Sequence, residues 1–218
     1  MDNTAIDILE SGLTALHIPA DQTYKHALIQ YCELIETANT FHSFVAASGN
    51  ELIIKHILDS LAPFNIFQRL IRENNYKTIA DFGSGAGLPG LPLALTFPEI
   101  HFTLIDRMTK RITFLESAVS QLNIHNITIV ETQAEHCKQQ FDIITFRAFR
   151  PFEYKLFKKL FRLCTKNGIV ASYKGKPDKA EAELETISGL IDSYTIVPVF
   201  VPFLDEARCL ALVKPKLS

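Results

Sequence analysis

Residues 78–90 read Thr78-Ile79-Ala80-Asp81-Phe82-Gly83-Ser84-Gly85-Ala86-Gly87-Leu88-Pro89-Gly90. A β-prone run ends near an acid and passes at once into a turn holding Gly83, Gly85, Gly87 and Gly90, after which an apolar helical pattern begins. Glycines let the backbone turn tightly and let a ligand approach the main chain. A helix opening at such a turn offers unpaired N–H groups and the positive end of its dipole. Strand, glycine turn and helix in that order predict a nucleotide-type ligand rather than an empty turn.

Working outward, the chain alternates between short β runs and helical patterns. Strands are predicted at 78–82, 101–106, 127–131, 141–147 and 168–174, with helices at 88–97, 109–122 and 152–164 between them. That alternation implies a parallel sheet with right-handed crossovers. Two last runs, 194–201 and 208–213, predict an antiparallel hairpin. Upstream, residues 5–37 read as helix broken near Pro19, with Tyr24, Leu28, Tyr31 and Ile35 on one face, and Asn50 is placed as the cap of a helix running to Leu61. The expected division is a helical N-terminal extension over 1–70 and an α/β domain over 71–218.

Gly85-x-Gly87-x-x-Gly90 matches the dinucleotide fingerprint, and Asp106 closes the second strand where a carboxylate accepts from ribose hydroxyls. Both features suit a nicotinamide dinucleotide and S-adenosylmethionine alike. The terminal hairpin favours the second. The fold class expected is α/β, a seven-stranded Rossmann-like S-adenosylmethionine-dependent methyltransferase sheet.

The chain has 218 residues, 47% of them hydrophobic and 21% charged, enough to bury a core without disulfides. Cys32, Cys137, Cys164 and Cys209 form no CxxC pair, and no metal site is expected. The most apolar stretch, 88–97, is broken by Pro89 and Pro92 and is too short to span a membrane. No signal peptide is read, and a cytoplasmic monomer is expected. Net charge is −2, yet residues 147–179 carry ten bases against Glu153 and Asp178. A field that uneven predicts one face meeting a polyanion.

Several motifs resemble one family. Asp81 to Gly90, Leu104-Ile105-Asp106, Lys110-Arg111, Phe114-Leu115, Arg147-Ala148-Phe149, Lys174-Gly175 and His56-Ile57-Leu58-Asp59-Ser60 are similar, in order, to the bacterial small-subunit ribosomal RNA guanine-N7 methyltransferases, also called glucose-inhibited division protein B. The resemblance implies S-adenosyl-L-methionine as methyl donor, S-adenosyl-L-homocysteine as product, and a guanine of 16S rRNA, free or in a small-subunit precursor, as acceptor. It also implies cofactor contacts at Gly83, Leu88, Ala134, Glu135 and Arg147, to which the loop adds Gly85 and the strand end Asp106. Two places depart from the family. His42-Ser43-Phe44 stands where an Asn-Leu-Thr tract is expected, and Lys55 stands where Arg is usual.

Guanine N7 carries a lone pair and no proton, so its methylation needs positioning rather than a general base. Arg147 and His56 are the positioning candidates, with no certain catalytic residue. His56 and Asp59, three apart, either brace each other or line the way to the substrate. Phe149 is either core or a platform for an extruded base. Lys155, Lys158, Lys159, Arg162 and Lys166 follow one helical stripe opposite Phe152, Leu156, Leu160 and Leu163. The RNA-contact candidates are Lys110, Arg111, Arg150, Lys155, Lys159, Arg162, Lys174 and Lys176. The competing functions are a methyltransferase of another RNA or a small molecule, a nicotinamide-dependent oxidoreductase, and a non-catalytic ribosome-binding module.

Overall fold

The computed structural model describes residues 1–147 and 152–216, so Ala148, Phe149 and Arg150 lie outside the described residues. The strands are β1 (Thr78–Phe82), β2 (His101–Asp106), β3 (Ile127–Glu131), β4 (Phe141–Arg147), β5 (Cys164–Lys174), β6 (Ile191–Val199) and β7 (Arg208–Pro215). They form one sheet in the order β3-β2-β1-β4-β5-β7-β6, parallel except for β7, which runs antiparallel to both neighbours. Side chains alternate between two apolar clusters, as the pleat requires. Ile79, Leu104, Ile143 and Tyr173 enter one, whereas Ala80, Phe82, Ile144 and Val170 enter the other. Covering both faces explains why the central strands read as nearly continuous apolar runs.

The first cluster is roofed by α1 (Asn3–Ala15), α2 (Gln22–Asn39), a helical run over residues 49–61, and then α5 (Phe64–Asn74). Asp2 and Asp21 open the first two helices by accepting from the amides of Ala5 and Tyr24, each at 2.8 Å. Residue 70 falls inside α5, and Leu9, Leu28 and Ile35 share their cluster with the sheet residues Ile79 and Leu104. The second face carries α8 (Tyr154–Arg162) and α9 (Pro177–Glu185). The first cluster also takes in α6 (Gly90–Thr96), through Leu91, Leu93 and Ala94, and α7 (Thr109–Gln121), through Leu115 and Ala118.

Three local expectations change. The run at 49–61 begins as α3 (Gly49–Leu52), widens into a π-helix over Ile53–Leu58 and ends as α4 (Asp59–Leu61). Asn50 does not cap it; instead the Gly49 amide donates to Glu36 Oε1 at 2.6 Å, so α2 supplies the acceptor. Second, β5 starts at Cys164, because Phe141 pairs with Cys164 before a register shift at Phe141/Ile143. Third, α5 and α9 are additions to the sequence reading. Phe64, Phe67 and Ile71 of α5 are buried at the i, i+3, i+7 spacing of a helix face, a signal the sequence reading passed over, whereas α9 buries only Ala180 and Leu184 and carries a weak period.

Candidate functional site

The sheet reverses its winding at β1, whose neighbours are β2 and β4. In such sheets ligands sit beyond the carboxyl ends of the strands at that switch point. The glycine turn leaves β1 there. Gly83, Gly85 and Gly87 have φ of 73°, 61° and 94°, left-handed values that a β-carbon disfavours. The turn is fastened to β2, since Gly83 N and Ser84 N both donate to Ile105 O, at 2.8 and 3.1 Å. A β-carbon added at Gly85 would meet only Gly83 O, at 3.8 Å, so this part of the loop faces open space.

The helix end that follows does not serve that space. Gly90 N donates to Asp81 Oδ2 at 3.0 Å, and Leu91 N to Gly87 O at 2.7 Å. Asp81 is fully buried, its Oδ1 has no partner, and burial pushes its pKa up to about 7. The first amide of α6 is therefore spent inside the fold rather than on a ligand. Asp106 does a second structural job. Its Oδ2 accepts from Gly85 N at 3.0 Å and from Arg111 Nη1 at 3.1 Å, and Oδ1 accepts from Met108 N at 3.0 Å.

Gly83, Gly85, Leu88, Asp106, Ala134 and Arg147 line one cavity of about 570 Å³, within the range of small-molecule sites. Glu135 belongs to the short 3₁₀ turn Ala134–His136 at the same strand end. Two N-terminal contributions were not foreseen. Phe44 and Val45 form part of the cavity wall, with Phe44 packed on Phe114 at 5.3 Å between ring centroids. From α2, the buried Tyr31 hydroxyl donates to Ala86 O at 2.6 Å and braces the glycine turn from below. Neither has a local sequence signature, because each depends on where the helical extension packs.

Arg147 closes β4 and reaches away from the turn toward the extension. Its Nη1 donates to Asp59 Oδ2 at 2.8 Å and to Lys55 O at 3.1 Å; its Nη2 meets His56 Nδ1 at 2.9 Å. Guanidinium has only donors, so His56 Nδ1 accepts and its imidazole is neutral. Burial, reinforced by the Arg147 charge, pushes the His56 pKa down to about 4. His56 and Asp59 therefore meet through Arg147 rather than by bracing each other directly. Arg208, the first residue of β7, completes the cluster by donating Nε to Asp59 Oδ1 at 3.1 Å.

The basic candidates divide. Lys110, Lys155, Lys158, Lys159, Arg162, Lys166 and Lys176 are exposed, while Phe152, Leu156, Leu160 and Leu163 are buried. Contrary to expectation, Lys166 is not part of the helical stripe, because α8 ends at Arg162 and the early start of β5 at Cys164 takes Lys166 into the strand. Arg111 pairs with Asp106, and Lys174 pairs with Glu183 and lies 3.8 Å from the centroid of the Phe152 ring. Those two are held in intramolecular contacts; Arg150 lies outside the described residues.

The sheet order, the antiparallel β7 and a glycine-walled cavity at the switch point define the class: an S-adenosylmethionine-dependent methyltransferase. The open cradle at Gly85 and the Asp106 carboxylate on the wall fit that cofactor, since one suits close main-chain approach and the other a ribose. The fold is similar to the N-methyltransferase NodS from Bradyrhizobium japonicum WM9 in complex with S-adenosyl-L-homocysteine, with TM-score 0.56 and 13% identity over 90% of this chain and 100% of that one. Residues 24–211 match the family model for rRNA small subunit methyltransferase G, GidB. The chain is 40% identical to the ribosomal RNA small subunit methyltransferase G of Treponema pallidum (strain Nichols), over 85% of this chain and 83% of that protein. It is 32% identical to the protein of that name from Francisella tularensis subsp. novicida, over 97% and 98%. The chain belongs to the rRNA small subunit methyltransferase G family. Among the described residues no helix is long and apolar enough to cross a membrane.

Proposed function

We propose that the protein transfers the methyl group of S-adenosylmethionine to N7 of a guanine in 16S rRNA. The family supports the reaction and the rRNA acceptor. One observation of the site carries the choice of N7: among the described residues, the titratable side chains on the cavity wall are committed to tasks other than taking a proton. Asp106 is held by two amides and Arg111, and His56 Nδ1 by Arg147. A site without a ready proton acceptor suits an acceptor atom that has no proton to lose.

The chain's own residues then bind, orient and exclude water. Gly83 and Gly85 supply an open main-chain surface, Leu88 and Ala134 apolar wall, and Asp106 the acceptor for ribose hydroxyls. When bound, S-adenosylmethionine supplies an electrophilic methyl on a sulfonium. Arg147 cannot act as a base and holds the wall between cofactor and acceptor in register. The exposed α8 stripe suits phosphate contacts along the RNA. An rRNA substrate supports a cytoplasmic location.

The test is single-turnover transfer to 16S rRNA between pH 6 and 9, followed by chemical cleavage at 7-methylguanine. Cleavage at one guanine and a rate without a steep rise are expected. A methyl group on an exocyclic amine or ribose hydroxyl refutes the proposal, as does a log-linear pH dependence abolished by His56→Ala.

A further inference from the structure

The tract His42-Ser43-Phe44, where this chain departs from its family, leads directly into the wall of the cofactor cavity, which Phe44 and Val45 line. Aromatic rings build outward from that wall. Phe44 packs on Phe114 and on His42, with ring centroids 5.3 Å apart in both pairs. The exposed His42 ring is the solvent end of the series. Beside it in the chain, Phe41 is 81% exposed, more than any other large hydrophobic residue among those described. The backbone under these rings is fixed. Asn39 donates Nδ2 to Val45 O at 2.8 Å and accepts at Oδ1 from Phe44 N and Val45 N, both at 3.1 Å. Phe41 N and His42 N donate to Ala38 O, at 3.1 and 2.8 Å. A phenylalanine kept out of the core forgoes the stabilisation its burial would bring. Held out on a loop tied at both ends, it is preorganised for a partner that covers it.

The charge beside the rings selects that partner. Lys110 lies 6.0 Å from the Phe44 ring centroid, and the exposed Arg107 lines the same cavity. Among the described residues neither side chain has an ion pair. From the other face of the sheet, Leu156 of α8 lines the cavity too, on the helix that exposes Lys155 and Lys159. A strand laid across the cavity mouth meets rings and cations on one side and the α8 stripe on the other. The exposed Phe200 and Phe203 provide the contrast. They stand between β6 and β7 together with Asp205 and Glu206, acids that repel a phosphate chain.

We infer that Phe41 and His42 form a stacking platform for an unpaired base of the rRNA next to the acceptor, with Arg107 and Lys110 meeting its phosphates. The inference rests on the rRNA methyltransferase reading above and adds a surface that holds the strand while the acceptor enters the cavity. Bases splayed from single-stranded RNA stack on aromatic side chains, whereas paired ones are covered by their neighbours. Every base has a π-face, so the platform fixes the strand's position without reading its sequence.

The chain contains no tryptophan, so Phe41→Trp installs a lone fluorescent reporter at the platform. The experiment titrates a single-stranded oligoadenylate of about ten nucleotides into this variant and follows the indole fluorescence. Saturable quenching is expected, and an abasic strand of the same length should leave the fluorescence unchanged. Phe41→Ala should bind the oligoadenylate about five- to hundredfold more weakly than the wild type, the worth of one base–aromatic stack, and Phe41→Tyr should retain binding. Lys110→Gln should lower the salt dependence by about one phosphate contact. S-adenosylhomocysteine affinity should hold in Phe41→Ala, since Phe41 does not line the cofactor cavity, and Phe200→Ala should bind the strand as the wild type does. No quenching, equal quenching by the abasic strand, unchanged binding in Phe41→Ala, or equal losses in Phe41→Ala and Phe200→Ala would overturn the inference. So would a joint loss of strand and S-adenosylhomocysteine affinity, which would make Phe41 a structural residue of the loop. If the wild type methylates 16S rRNA while any of these holds, the platform fails and the proposed function stands. If the strand stacks as expected but transfer to rRNA is absent, the platform stands and the function fails.

Discussion

Asp59→Asn is the substitution whose cost the structure specifies best. The Asp59 side chain is 8% exposed and joins Arg147, 15% exposed, to Arg208, 24% exposed. Removing one partner of a buried ion pair costs about 3–5 kcal/mol, because the remaining charge stays desolvated. Two features reduce that figure. Arg147 keeps Lys55 O and His56 Nδ1, and Arg208 keeps Glu206 at 2.9 Å and Ala207 O at 3.0 Å. Asparagine also retains one carbonyl oxygen. The expected loss is about 2–3 kcal/mol, or roughly 4–12 °C in Tm for a chain of this size. Urea unfolding followed by circular dichroism measures it, with an unchanged m-value showing that the native state stays compact. A double-mutant cycle with Arg208→Gln should give a coupling of at least about 0.5 kcal/mol. A loss below about 1 kcal/mol, the scale of an exposed pair, would refute the view that Asp59 neutralises two shielded guanidiniums.

Three further outcomes follow from the site. Asp106→Ala removes the acceptor for Gly85 N and Met108 N and should weaken S-adenosylmethionine binding by about 1.5–3 kcal/mol, measured by calorimetry; unchanged affinity would remove Asp106 from the cofactor site. Replacing Lys155, Lys159 and Arg162 by Glu should weaken RNA binding and flatten its dependence on salt while cofactor affinity holds, and RNA affinity indifferent to both would reduce the stripe to a solvated face. His56 has a pKa of about 4 in the fold against 6.5 ordinarily, so the unfolded chain binds more protons between those values. Stability of the wild type relative to His56→Gln should therefore rise with pH from about 4 to 6.5 and level off above it. Parallel urea midpoints across that window would show that the imidazole is not held neutral by the fold.

What could be read without the structure has local causes. Short, nearly continuous apolar runs mark β1, β2 and β4, whose central residues are covered on both faces, and the glycines at 83, 85 and 87 stand where the backbone turns left-handed. The α8 stripe was visible because one short helix carries both its apolar and its basic face. Even Asp106 was placed by its position at a strand end. The roles of these residues were less visible than their positions. Asp106 divides its carboxylate between the loop and Arg111, and the amide of Gly90 goes to Asp81 rather than outward. The rest needed the tertiary fold. Arg147 and Asp59 are 88 residues apart, Arg208 and Asp59 149, and Tyr31 reaches Ala86 across 55. Periodicity carries no trace of such partners, because it reports which face of an element is buried and not which element covers it. A second cavity, walled by the π-helical segment, two strand ends and the C-terminal hairpin, exists only once packing has brought those elements to the same edge of the sheet.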